Sequence, residues 1–153
     1  AVAPETTAAI WGAARAWRAD AVHLQGTFSA AAAALHRERP GVPGVSENIR
    51  VVSIIGRFLE HSRAFCFANG GSDEVYIGSA DWMPRNLDRR VEAVVPIDDA
   101  ANRRLVRQTL ELMWTDNRQA WELGAEGTWT QRSRGPEEPE VATHRVLVEK
   151  VWG

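Results

Sequence analysis

One cysteine, Cys66, is all that the 153 residues contain, so no disulfide can close within the chain. Its thiol falls in an apolar run and is expected to be inert core, as suits a reducing cytoplasm. Excess charge of either sign is also lacking: 18 Lys and Arg stand against 20 Asp and Glu, for a net charge of -2. No overall basic field draws nucleic acid, and any anion site must be local. No uninterrupted apolar stretch reaches about 18 residues, which argues against a membrane-spanning helix. The opening AVAPETTAAI has neither a basic n-region nor an initiator Met. It does not read as a signal peptide, and the chain is expected to be a piece of a longer one. Repeats are absent, and the alanine run Ala30 to Ala34 is the one biased segment. What is present is length enough for one domain with a real core.

The chain is organised around Leu59 to Ile97, which reads as strand, tight turn, strand, polar loop, strand. Ser62 to Ala68 is mostly apolar. Asn69-Gly70-Gly71 signals a hairpin, because these residues accept positive φ. Glu74 to Ile77 returns as a second apolar run, broken by Gly78-Ser79-Ala80-Asp81. A loop with Arg85, Asn86, Arg89 and Arg90 follows, and Val91 to Val95 reads as a third, buried strand beginning at Arg90.

Residues capable of chemistry gather at the ends of these strands. His61 and Arg63 are two apart and share a face of an extended chain. Ser79 and Asp81 stand where the paired strand ends, and Arg85, Arg89 and Arg90 follow in the loop. A histidine flanking a strand is commonly structural, and loop arginines are commonly solvated. A histidine ringed by arginines, small hydroxyls and exposed amides nevertheless suits phosphoryl transfer. Guanidinium forks match phosphate oxygens in pairs, and imidazole can carry a proton or a phosphoryl group.

The remaining elements are plainer. Pro4 to Trp17 reads as a helix with Ile10, Ala14 and Trp17 on one face. From Arg18 to Arg37 no period is sustained, and His23 and His36 have no partner at metal-ligand spacing. Arg39 to Ser46 is a Pro/Gly loop. Glu47 to Phe58 fits a short helix or a buried strand equally. Asp98 or Asp99 caps a helix running to about Asn117. Its wide apolar face joins two stripes, Leu105, Thr109 and Leu112 beside Val106, Leu110, Met113 and Trp114, with Arg103, Arg104 and Arg107 facing outward. Trp121 to Thr130 reads as a hairpin turning at Gly124 to Gly127, Ser133 to Glu140 as a flexible acidic loop, and Thr143 to Trp152 as a terminal helix.

The order His-x-Arg, strand, Gly hairpin, strand, Gly-Ser-x-Asp resembles a phospholipase D superfamily half-site. The wording is closer to the C-terminal catalytic domain of bacterial polyphosphate kinase. RPGVPGVSENIRVVSIIGRFLEHSR (Arg39 to Arg63), NGG (Asn69 to Gly71) and YIGSADWMPRNLDRRVE (Tyr76 to Glu92) are similar to that family almost word for word. The resemblance implies an α/β fold, with a phospholipase D-like mixed sheet flanked by helices as an incomplete C-terminal half. It divides the chain into 1–38, divergent or mis-framed, and 39–153, catalytic domain. In the first part the family carries a strand ending in a phosphate-contacting arginine, and Ala33 occupies that arginine's place.

The implied activity is reversible transfer of the terminal phosphate of ATP to inorganic polyphosphate. The histidine that becomes phosphorylated, and the residues that bind Mg2+, would lie upstream of this fragment, so the fragment alone is expected to be inactive. His61 matches the second essential histidine, in proton transfer or transition-state stabilisation. Arg90 matches a phosphate-contacting arginine, Arg63 and Arg85 join the same ATP/polyphosphate-binding field, and Ser79 and Asp81 orient the site. No metal ligand is assigned here. Expected partners are ATP, ADP, polyphosphate, the remaining domains and a second copy of the chain. The expected place is the cytoplasm, with peripheral attachment to the inner membrane face as an option. A phosphodiesterase of the wider superfamily stands as an alternative, opposed by Arg63 in place of lysine and Asp81 in place of asparagine. A non-catalytic remnant or oligomerisation piece is the other.

Overall fold

The computed structural model describes residues 23–25, 40, 41, 43, 49–59, 61–80 and 84–152. The helix expected over Pro4 to Trp17, His36 and Asp81 lie outside the described residues. The chain divides into two units, Ala1–His36 with His61–Val106, and Arg37–Glu60 with Arg107–Gly153.

The first unit is built on a four-stranded sheet of β1 (His23–Gln25), β3 (Ala64–Phe67), β4 (Glu74–Gly78) and β5 (Val94–Pro96), in that order and antiparallel throughout. The β3–β4 hairpin turns where expected. Asn69, Gly70 and Gly71 all take positive φ, at 38°, 63° and 97°. Two glycines in sequence make that left-handed path inexpensive. Val75, Phe65 and Ala64 form the buried centre of this unit. A short helix, α1 (Pro84–Arg89), fills the loop between β4 and β5.

Three features of this unit differ from expectation. The third strand starts at Val94 instead of Arg90, and all three of its residues are exposed instead of buried. Pro84 supplies the reason for the first difference: it is suited to the opening turn of a helix, so the chain coils before it extends. The third difference is β1, a strand inside a segment with no strand periodicity. Three residues paired along an edge need little propensity of their own when β3 supplies the register.

The second unit carries a three-stranded antiparallel sheet of β2 (Val52–Ile54), β6 (Ala120–Leu123) and β7 (Trp129–Gln131), in the order β2-β6-β7. The ambiguous stretch Glu47 to Phe58 thus resolves into a strand at its described centre. Helix α2 (Ala100–Thr115) is capped by Asp99, whose carboxylate accepts the Asn102 N–H at 2.8 Å. Leu110 and Met113, both on the expected apolar face, are its buried residues, whereas Leu105, expected on the same face, is 62% exposed. The β6–β7 hairpin closes where expected through the Gly124 N–H to the Thr128 carbonyl at 2.9 Å. The terminal helix, α3, spans Thr143–Trp152.

Buried polar groups hold the second unit together. Asp116 is fully buried at the end of α2. One of its oxygens accepts the N–H groups of Arg118, Gln119 and Ala120, and the other accepts that of Thr143. Burial opposes ionisation of this carboxyl. The backbone donors and the Thr143 hydroxyl outweigh burial and hold it below the ordinary carboxylate value. The acidic loop Ser133 to Glu140, expected to be flexible, is tied down: Asn117 donates to the Pro139 carbonyl, and Glu140 pairs with Arg118 and Arg145. Class and element order match the α/β expectation, and the described strands sort into two antiparallel sheets.

Candidate active site

Strand register brings the approach to β3, with His61 and Arg63, beside the exit of β4, with Ser79, at one end of the first sheet. Ala64 opens β3 opposite Ile77 in β4, and the Gly78 N–H donates to the Arg63 carbonyl at 2.9 Å. Beyond β4 the Ser79 N–H donates to the Ala93 carbonyl at 3.0 Å, just before β5 opens. The approach to β3, the exit of β4 and the approach to β5 therefore lie side by side. They carry His61 and Arg63, Ser79, and Glu92 respectively.

Gly78 makes this end tight. A Cβ there would stand 3.3 Å from the Ala93 carbonyl oxygen and 3.4 Å from the Phe65 ring. Without a side chain, the backbone can approach both closely.

His61 and Arg63 touch, just before β3 opens. The Arg63 side chain reaches back so that one terminal nitrogen meets His61 Nδ1 at 2.5 Å and the other meets Nε2 at 2.6 Å. The first of these nitrogens also donates to the His61 carbonyl. A neutral imidazole has one acceptor nitrogen, so one of the two ring contacts serves as a hydrogen bond in a given tautomer. Arg63 is buried and His61 is exposed. A buried guanidinium thus backs an imidazole that faces solvent, an arrangement open to a substrate from one side.

Ser79 is committed. Its hydroxyl donates to Glu92 Oε2 at 2.5 Å and accepts the Ala93 N–H at 3.0 Å. Arg90 sits just past the end of α1, where a terminal nitrogen stands 3.5 Å from the Asn86 amide oxygen and 4.0 Å from Glu92 Oε1. Arg90, its side chain 63% exposed, is therefore attached to the same sheet end through Glu92. Arg85 is exposed on α1. Asp81, expected to orient the site, lies outside the described residues.

Two residues beyond the expected set join the cluster. Glu92 bridges Ser79 and Arg90, so a carboxylate stands among the cations. Asn86 is only 2% exposed. A signal for Asn86 lies in the sequence, since it is four residues before Arg90, one helical turn. Among the described residues no three His, Cys, Asp or Glu side chains stand close enough to hold a metal ion.

The sequence profile described as polyphosphate kinase C-terminal domain 2 matches residues 33–143. The chain belongs to this family. Similar relatives carry the same name. The polyphosphate kinase of Thermosynechococcus vestitus is 63% identical over 110 residues, which is 72% of this chain and 15% of that one. Polyphosphate kinase 1 of Chlorobaculum tepidum is 63% identical over 92 residues, 60% of this chain and 13% of that one. The crystal structure of polyphosphate kinase from Porphyromonas gingivalis superimposes with a TM-score of 0.62 at 39% identity, over 71% of this chain and 18% of that one. The chain thus spans about 15% of the length of the Thermosynechococcus relative. All three names are kinases, which does not favour a phosphodiesterase of the wider superfamily. No helix among the described residues is long and apolar enough to cross a membrane.

Proposed function

We propose that this chain is the C-terminal catalytic part of a polyphosphate kinase, moving the terminal phosphate of ATP to and from inorganic polyphosphate. The observation that carries this is membership of this family, with two contact pairs at one end of the first sheet, His61 with Arg63 and Ser79 with Glu92, and Arg90 beside Glu92. His61 transfers a proton, or stabilises charge, at the moving phosphoryl group. Arg90 binds phosphate oxygens, with Arg63 and Arg85 adding to the field. Ser79, its hydroxyl already engaged, orients the site together with Asp81. The phosphorylated histidine and the magnesium ligands belong to the rest of the polypeptide, and no step through the metal is assigned to this chain.

In this reading residues 39–153 form the catalytic piece and 1–38 are diverged or mis-framed. Ala33 occupies the place of an arginine, which removes one phosphate contact. The partners are ATP, ADP, polyphosphate, the upstream domains and a second copy of the chain. The reaction takes place in the cytoplasm, with peripheral attachment to the inner membrane face as an option.

The test is incubation with ATP, magnesium and a polyphosphate primer. The 153-residue chain alone should give no polymer growth, and the chain joined in frame to the upstream domains of a relative should restore it. Growth by the chain alone would overturn this division of labour. Absence of growth from the joined protein would overturn the function.

A further inference from the structure

We infer that Asn86 is a positioning residue that, with Glu92, holds Arg90 by a single terminal nitrogen and turns the opposite edge of the guanidinium toward a terminal phosphate. The inference rests on the assignment of Arg90 to phosphate and specifies how that contact is made. A guanidinium has five N–H donors, in two forked edges and one end. Both contacts of Arg90 among the described residues run through the same nitrogen, to Asn86 at 3.5 Å and Glu92 at 4.0 Å. The Nε–H and the second terminal nitrogen make the remaining fork, on a side chain that is 63% exposed. That fork matches two oxygens of one phosphate.

The holding residues are themselves fixed. Asn86 is one of the largest fully buried side chains, 2% exposed in α1. Glu92, its side chain 12% exposed, is anchored by the Ser79 hydroxyl at 2.5 Å. Hydrogen bonds at 3.5 Å are long, and such contacts commonly tighten when substrate draws the partner in. A terminal phosphate on the outer fork would do so, since it fixes the plane of the guanidinium. The ligand class is a terminal phosphate with at least two free oxygens, on polyphosphate or on ATP.

The 153-residue chain is titrated at fixed ionic strength with inorganic tripolyphosphate, and separately with ATP, while the Arg90 Nε–H resonance is followed. The signal should move with tripolyphosphate. Movement with ATP as well assigns the fork to the phosphate both share, and movement with tripolyphosphate alone assigns it to the polymer. A stationary Nε–H signal in the unsubstituted chain overturns the inference. Arg90→Lys should weaken tripolyphosphate binding on the order of tenfold by removing the fork. Asn86→Ala should weaken it about three- to tenfold, and should add little in the Arg90→Lys background. Equal effects of Asn86→Ala in both backgrounds would make Asn86 merely structural and overturn its role. An unchanged affinity in Arg90→Lys would instead overturn the phosphate assignment of Arg90 itself. If Asn86→Ala does not fold, the Nε–H measurement alone decides.

Discussion

Replacing Asp116 with alanine should cost a large fraction of the stability of this chain. Its carboxylate accepts the N–H groups of Arg118 at 2.8 Å, Gln119 at 2.6 Å, Ala120 at 3.1 Å and Thr143 at 2.7 Å. Arg118 is exposed and Gln119 half-buried, so water can replace the lost acceptor there. Ala120 and Thr143 are fully buried, and their N–H groups would be left without one. Each orphaned donor costs about 1–3 kcal/mol, so the pair costs about 2–6 kcal/mol. A domain of this size has about 5–15 kcal/mol in total. Asp116→Asn keeps an oxygen for the first three donors but turns an N–H₂ group toward Thr143, and should cost about half as much. Urea unfolding of the three proteins measures this.

The pH dependence follows with a definite sign. The folded carboxyl is lowered from the ordinary value of 3.8, because the hydrogen bonds outweigh burial. Its contribution is therefore complete above the unfolded value and is lost as the pH falls through the folded one, from about pH 4 downward. Stabilities of Asp116→Ala and Asp116→Asn within about 0.5 kcal/mol of the parent would refute the reasoning, since surface-like substitutions fall in that range.

Other consequences are as direct. Gly56→Ala should destabilise the second unit by about 1–3 kcal/mol, because a Cβ there would collide with the Gln119 amide and the His144 ring; an unchanged melting temperature would show that this packing is slack. Ser79→Ala removes the acceptor of the Ala93 N–H and the donor to Glu92, and should cost about 1 kcal/mol in urea unfolding. Equal stability would mean that water already competes for both partners.

Local rules made much of the fold legible. The Asn-Gly-Gly hairpin, the Asp99 cap, the buried stripe of Leu110 and Met113, and the helix from Thr143 all follow from turn chemistry, capping and periodicity. The less legible parts depend on partners distant in sequence. β1 takes its register from β3, β2 is decided by pairing with β6, and the acidic loop is fixed by Asn117, Arg118 and Arg145. At the candidate site the spacing of His61 and Arg63 predicts a shared face, while their contact needs the Arg63 side chain to fold back on His61. The bridging role of Glu92 does not follow from spacing, because it needs the β4–β5 register to bring Ser79 beside it.

The central claim is that His61 acts on the moving phosphoryl group. It is tested most directly by His61→Ala in the chain joined to the upstream domains of a relative, with initial rates of polyphosphate synthesis and the unfolding midpoint measured together. Loss of a positioned proton-transfer group should lower kcat by about 10²–10⁴-fold, with KM for ATP within a few-fold and the unfolding midpoint unchanged. A His61→Ala protein that turns over at the parent rate would contradict the account.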